Sequence, residues 1–315
     1  MSNWYIVSRI GVDMKAFYPI YVITKNMDAK YLNYLEARDV DFTGANVILH
    51  CVWKKNQYDA WKNLPKKLGK EAKNFWIEFD ADNHLDRLYQ LDGPKNTARF
   101  FHKIFAPCNK FIWEQPSFYN PFARPVERIQ LRCYHPEFQK PIPKVKDIDF
   151  FTCIDSDKNV VETLELFTEL KKKGFSISVM ILNKERYEFY KDKLDYPIIT
   201  NATKFTRGSI QRFEHLMNRS KVYIDLSYRL TTGRVVYDAA FRGTYFVGTN
   251  TYGATNELFP EYALTTYPIN LNKALVWSLK AREDWTPKNI LKKRKELNEH
   301  ASVEGFIKEL KERSK

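Results

Sequence analysis

The sequence predicts an α/β protein of two parallel-sheet domains facing a cleft, and three observations carry that prediction. Short runs rich in β-branched and aromatic residues alternate with stretches of helical apolar spacing, the pattern of parallel sheets with crossover helices. A proline-rich break near the middle, Pro136-Glu-Phe-Gln-Lys-Pro-Ile-Pro143, opposes both helix and central strand, and the alternation restarts after it. At 315 residues the chain is long enough for two domains with a core each.

In the first half Trp4–Ser8, Pro19–Thr24, Asn46–Cys51, Phe75–Phe79 and Lys110–Trp113 read as strands, with helical patterns over Asp28–Glu36 and Pro94–Phe105. In the second half Asp149–Ile154, Phe175–Leu182, Lys221–Leu226 and Tyr245–Gly248 read as strands. Asn159–Lys173, Gly208–Asn218 and Arg234–Phe241 read as helices, and Gly243 is placed to close the last of them in the left-handed region. The stretch 272–315 is helical and charged, with Ser302 placed to start its final helix. The expected division is a first domain over 1–143, a second over 144–271, and C-terminal helices over 272–315 packing back across the domains.

Composition narrows the class. Apolar residues make up 44% and aromatic residues 15%, so the chain is globular, and no apolar run approaches the roughly 20 residues that span a bilayer. The N-terminus lacks the basic start and cleavage site of a signal peptide, which makes a cytoplasmic location (host cytoplasm, were the source viral) the default expectation. Cys51, Cys108, Cys133 and Cys153 stand far apart without a CxxC pair, so no zinc or disulfide framework is expected. The net charge of +13 is positive in both halves and attracts polyanions: nucleic acid, anionic membrane surfaces or nucleotide phosphates.

The most informative stretch runs from Lys221 to Val247. A buried strand ends near Ser227, a polar loop follows, and a helix opens at Gly233 and closes at Gly243, leading straight into another strand. Loops of this kind, at the carboxyl end of a strand and feeding a helix N-terminus, bind phosphates in open α/β sheets. Gly233 lets backbone amides approach a ligand, and Arg229 and Arg234 add charge beside them; an ordinary strand-to-helix turn is the competing reading.

The order Ser227, Gly233, Asp238-Ala-Ala, Arg-Gly-Thr244 and a Val-ending strand resembles the retaining GT-B glycosyltransferases, the glycogen-synthase-like or family-4 type. Thr251-Tyr-Gly-Ala-Thr-Asn-Glu257 is similar to that family's Gly-x-x-Glu loop, and Phe150–Ile154 with Lys158-Asn159 to its first strand and diphosphate lysine. Phe175–Leu182 is similar to the strand after it, and Cys133–Phe138 stands where the family has Gly-Val-Asp-x-x-x-Phe. Together these cover about residues 130–260. The resemblance implies two Rossmann-like domains, a nucleotide-sugar donor (a UDP- or GDP-sugar) held by the second, and no required metal. It implies Lys158 on the diphosphate, with Arg229, Gly233 and Arg234 beside it, and Asp238 on the ribose, where the family usually has Glu. Transfer with retention and front-face departure of the diphosphate follows from the same resemblance. Three family features are missing: the loop carboxylate that contacts the transferred sugar falls on Leu230, the phosphate arginine falls in Asp155–Ser156, and the glycine after the first strand is absent.

The first half supplies the candidate acceptor side. Asn46-Val-Ile-Leu-His50 resembles the family's Asp-led strand that carries histidine; His50 is read as catalytic or as a hydrogen-bonded structural residue. Asp80 and Asp82, in Glu78-Phe-Asp-Ala-Asp-Asn-His84, are the carboxylates placed to face an acceptor hydroxyl. Asp80-Ala-Asp82 is also similar to the manganese-binding signature of GT-A glycosyltransferases, and solvated loop acids are the plainer reading. Residues 53–76 interleave cations with aromatics: Trp53, Lys54, Lys55, Trp61, Lys66, Lys67 and Lys70 are the candidate acceptor-binding residues. Such a surface tracks phosphates and stacks bases, or lies on an anionic bilayer, or is a solvated lysine face.

The expected function is therefore glycosyl transfer from a nucleotide sugar to an acceptor hydroxyl, with a hydroxymethylated DNA base as acceptor, as in phage-type DNA glycosyltransferases. The alternatives are a lipid-linked or cell-envelope glycan at a membrane face, and a catalytically silent module that binds DNA or a nucleotide.

Overall fold

The computed structural model describes residues 3–8, 23, 26–50, 63–79, 105–113, 125–130, 142–154, 159–200, 207–227, 234–250, 253–265, 268–300 and 302–315. The chain forms two compact units, 1–136 with 301–315 and 137–300. The helical C-terminal stretch is thus divided: residues 301–315 belong with the first unit, and those before them with the second.

Unit 1 carries a parallel sheet of β1 (Trp4–Ser8), β2 (Lys30–Leu32), β3 (Asn46–His50), β4 (Asn74–Phe79), β5 (Lys110–Trp113) and β6 (Glu127–Gln130), in the order β2-β1-β3-β4-β5-β6. Strands buried on both faces need continuous apolar runs. Ile6 and Val7 of β1 and Val47, Ile48 and Leu49 of β3 are completely buried, as are Trp76 and Ile77 of β4. Each such aliphatic side chain contributes about 1.5–3 kcal/mol against exposure.

The helix expected over Asp28–Glu36 is a correction: Tyr31 and Leu32 pair with Ile6 and Val7 of β1, and only the short α1 (Glu36–Asp39) follows. An edge place beside β1 outweighs a marginal helical spacing in so short a segment. β6 and the helix α2 (Leu64–Glu71), which buries Leu64, Pro65 and Leu68, had no strong sequence signal. The expected strand Pro19–Thr24 and helix Pro94–Phe105 lie almost wholly outside the described residues.

Unit 2 repeats the architecture with β7 (Ile148–Ile154), β8 (Ile177–Ile181), β9 (Ile198–Thr200), β10 (Ser220–Asp225), β11 (Tyr245–Thr249) and β12 (Ala263–Leu264). Their order is β12-β11-β10-β7-β8-β9, all parallel. Between them run α3 (Val160–Lys172), α4 (Lys184–Tyr190), α5 (Arg207–Arg219), α6 (Arg234–Phe241) and α7 (Gly253–Leu258). α8 (Leu271–Asp284) and α9 (Pro287–His300) complete the unit. α3 buries Leu164, Leu166, Phe167 and Leu170.

Gly243 adopts φ +69°, and a Cβ there would come within 2.5 Å of Ile142 and 2.9 Å of Ile290. Conformation and space both require glycine, as the left-handed close of α6 anticipated. Beside it Lys146 donates to the carbonyls of Arg242 (2.7 Å) and Met217 (3.4 Å) and to Thr244 Oγ1 (2.9 Å), so one buried amine serves the C-terminal ends of α5 and α6. Burial, with the nearby Arg242 guanidinium, brings the Lys146 ammonium down to about 7.

The last helix, α10 (Val303–Glu312), is capped by Ser302, whose side chain accepts from Gly305 N, and it buries Phe306, Ile307 and Leu310 within unit 1. Beyond it Ser314 accepts from Trp76 Nε1 (2.9 Å) and, through its carbonyl, from Asn74 Nδ2 (2.6 Å). Lys110 Nζ donates to the Arg313 carbonyl (3.0 Å). Among the described residues no helix is long and apolar enough to cross a membrane.

Candidate functional site

In a sheet of this kind the crevice lies outside the carboxyl ends of the strands, where the chain order reverses. Unit 2 reverses between β7 and β10, since β8 and β9 build outward on one side and β11 and β12 on the other. Asn159, which precedes α3, spans this point by donating from Nδ2 to the Leu226 carbonyl just past β10 (2.7 Å). Its own carbonyl accepts from Thr163 Oγ1 (2.6 Å), so the start of α3 is fastened to the end of β10.

On the β10 side Asp225 and Ser227 are completely buried. Asp225 Oδ1 accepts from Ser227 N (3.0 Å), and Ser227's carbonyl accepts from Thr249 Oγ1. The next strand sits close: a Cβ on Gly248 would meet the Asp225 carbonyl at 2.7 Å. α6 buries Val236, Tyr237, Ala239 and Ala240, which leaves Asp238 half-buried on its remaining side. Tyr237 reaches Glu257 of α7 at 3.4 Å.

Of the predicted donor residues, Asp238 stands on the helix that follows β10, as expected. Arg234 is the first residue of that helix, while Lys158, Arg229 and Gly233 lie outside the described residues.

Unit 1 reverses between β1 and β3, and there the crevice edge is built differently. Ser8 and His50 are register partners at the ends of their strands, and His50 is the register partner of Glu78 on β4. Ser8 Oγ lies 2.8 Å from His50 Nδ1, and His50 Nε2 lies 3.2 Å from Glu78 Oε2. All three are buried, at 0%, 5% and 3% exposure, so His50 stands behind the surface with both ring nitrogens engaged. Tyr34 donates to the His50 carbonyl (2.6 Å) and Tyr31 to that of Ser8 (3.3 Å); burial raises the Tyr31 hydroxyl above its ordinary value, keeping it a donor.

Sequence reasoning placed His50 at this strand end but missed Ser8, and it grouped Glu78 with the loop acids. Each is a polar residue at or next to the end of an apolar strand, but only the strand order shows that the three are neighbours.

Asp80, Asp82, Trp53, Lys54, Lys55 and Trp61 lie outside the described residues. In α2, Lys66 and Lys70 are exposed and four residues apart, on one face. Lys67 is committed elsewhere: its Nζ donates to the Arg38 carbonyl (2.6 Å), pairs with Glu71 and lies over the Phe42 ring. Among the described residues no group of three or more His, Cys, Asp or Glu side chains is placed to hold a metal ion.

Two all-parallel six-stranded units, each reversing its strand order once, make the architecture of the GT-B fold. Solved structures that share it include HepE of Anabaena in complex with UDP and glucose, with TM-score 0.66 and 10% identity over 98% of each chain. They include TarM (TM-score 0.65, 14% identity, 88% of this chain) and WaaG, a glycosyltransferase involved in lipopolysaccharide biosynthesis (0.56, 10%, 95% of each chain). The chain spans 56% of the length of TarM. At these identities the likeness establishes the fold, and it is the GT-B fold that the resemblance implied, not a GT-A fold. No protein-family model matches the chain, and no curated protein matches it by sequence.

Proposed function

We propose that the protein is a nucleotide-sugar-dependent glycosyltransferase, with unit 2 binding the donor and unit 1 receiving the acceptor. The observation that carries this is the unit 2 crevice. Asn159 ties the start of α3 to the end of β10, and a carboxylate, Asp238, stands on the helix after β10. Helix N-termini favour a diphosphate there, and a carboxylate accepts the paired hydroxyls of a ribose. Lys158, with Arg229, Arg234 and the amides near Gly233, would neutralise the diphosphate.

In the reaction the bond between the sugar's anomeric carbon and the diphosphate breaks, a bond to the acceptor oxygen forms, and the acceptor's proton leaves. On the front-face path the departing diphosphate takes charge and proton, and the outcome is retention. Asp80 or Asp82 faces the acceptor, and no metal is needed in this reading.

For the acceptor, the charge of +13 and the exposed Lys66–Lys70 face of α2 support a polyanion, and a hydroxymethylated base in DNA is the reading carried forward. Its action would be cytoplasmic. The fold shared with WaaG supports a second reading, a lipid-linked or envelope glycan at an anionic membrane face.

One experiment addresses both. The protein is offered UDP- and GDP-sugars with hydroxymethylated DNA or with lipid-linked glycan in anionic vesicles, and products are read by mass. Sugar on the base is the expected result, and sugar on the glycan alone replaces the acceptor. Nucleotide binding with no transfer to either would overturn the enzyme in favour of a silent binding module.

A further inference from the structure

We propose that Ser8 and Glu78 are positioning residues that, with His50, form a buried clasp fixing the acceptor-side edge of unit 1. The inference rests on the reading of unit 1 as the acceptor side. Elsewhere β1, β3 and β4 bury Ile6, Val7, Ile48, Leu49 and Ile77. At their carboxyl ends this apolar packing gives way, on three adjacent strands and in register, to a hydroxyl, an imidazole and a carboxylate. Apolar residues of similar volume would serve stability as well or better than a buried ion-pairing set. A fully connected polar line fixes geometry instead, because each group has a directional partner.

The chemistry of the line is self-consistent. Glu78 draws a proton onto His50 Nε2, leaving Nδ1 to accept from the Ser8 hydroxyl. Should the ring gain a second proton, Ser8's oxygen accepts from Nδ1, so the line stays closed in both states. Tyr31 and Tyr34 occupy the carbonyls of Ser8 and His50, tying β2 and the segment after it to the same point.

The clasp spans the strand reversal, the place in the sheet where a ligand is received. Glu78 also stands two residues before Asp80 in the sequence. His50 acts in this account through the backbone it holds, not by touching the acceptor.

The test uses the full chain with Ser8→Ala, Ser8→Thr and Glu78→Gln. Turnover should fall about 10- to 100-fold in Ser8→Ala and Glu78→Gln, the scale of a small misplacement of reacting groups. Nucleotide affinity, read by calorimetry, should stay within about twofold, because that site belongs to unit 2. Ser8→Thr, which restores the hydroxyl, should recover most of the turnover.

Imidazole NMR supplies a readout independent of activity. A slowly exchanging Nε2 proton, assigned by its loss in His50→Gln, should be present in the wild type and lost in Glu78→Gln. Undiminished turnover in well-folded Ser8→Ala, or a freely exchanging His50 ring in the wild type, would overturn the clasp. If Glu78→Gln does not fold, Ser8→Ala and the wild-type spectrum still decide. A wild type that transfers no sugar to any acceptor refutes the enzymatic reading, and the ring proton then judges the clasp by itself.

Discussion

The two strand reversals are topological counterparts with opposite chemistry. In unit 2 the reversal is spanned by a neutral amide, Asn159 to the Leu226 carbonyl. In unit 1 it is spanned by a hydroxyl, Ser8, and two ionisable groups, His50 and Glu78, all withdrawn from solvent. One sheet topology thus carries two different closures, a neutral amide tie in one unit and a buried hydroxyl–imidazole–carboxylate line in the other, by changing the residues at its strand ends.

The largest effect expected from breaking this contrast is Glu78→Ala. It opens a buried cavity and takes the carboxylate acceptor from the His50 Nε2 proton, which together cost about 3–5 kcal/mol. Hydrogen exchange should show the loss in the amides of β1, β3 and β4 and not in those of β7 or β10. A uniform loss across both units would end the idea of separate devices.

Next comes Asp238→Ala, which should weaken UDP or GDP binding by about 1.5–3 kcal/mol, the scale of hydrogen bonds to a charged group. Calorimetry measures it, and unchanged affinity in a folded variant removes Asp238 from the donor site. Asn159→Ala should cost unit 2 about 1–3 kcal/mol by stranding the Leu226 carbonyl, and nucleotide affinity should fall with it. Loss of stability without loss of affinity would make the amide purely structural.

The pH response should also separate the units. Lys146 of unit 2 titrates at about 7 when folded and near 10.4 when unfolded. Between those values the unfolded chain binds the extra proton, so unit 2 gains stability as pH rises from about 7 to about 10 and is at its least favourable below 7. Lys146→Met should flatten that rise; an unaltered profile in this variant would assign it to another group.

The smallest effect on stability belongs to Lys66→Ala with Lys70→Ala, within about 0.5 kcal/mol for exposed positions. If the α2 face meets a phosphate backbone, the same pair should lower the log–log salt slope of DNA binding by about two. An unchanged slope would move the acceptor reading to the glycan.

The sequence carried the fold where the physics was local. The apolar runs of β3, β7 and β10, the spacing of α3 and the glycine closing α6 each announce one element, and each is present. It failed where tertiary pairing decides. Asp28–Glu36 has a helical spacing but pairs Tyr31 and Leu32 with β1, and β9 and β12 are short strands that only neighbouring strands justify. For the candidate site, the place of Asp238 on the helix after β10 could be read because helix follows strand in sequence. The Ser8–His50–Glu78 line could not, because strand order determines which strand ends are neighbours. Ser8 and His50 are 42 residues apart and meet only because β3 pairs with β1.

The tie between Trp76 and Ser314, 238 residues apart, bears on synthesis as well as on packing. A ribosome adds about 5–20 residues per second, so Trp76 leaves it on the order of tens of seconds before Ser314 is made. Throughout that interval unit 1 lacks α10, and the surface that receives Phe306, Ile307 and Leu310 is without its cover. Unit 2, contained in one continuous stretch, has everything it needs to fold first. The nascent chain would therefore mature out of order, the second unit finished before the first, which waits for α10.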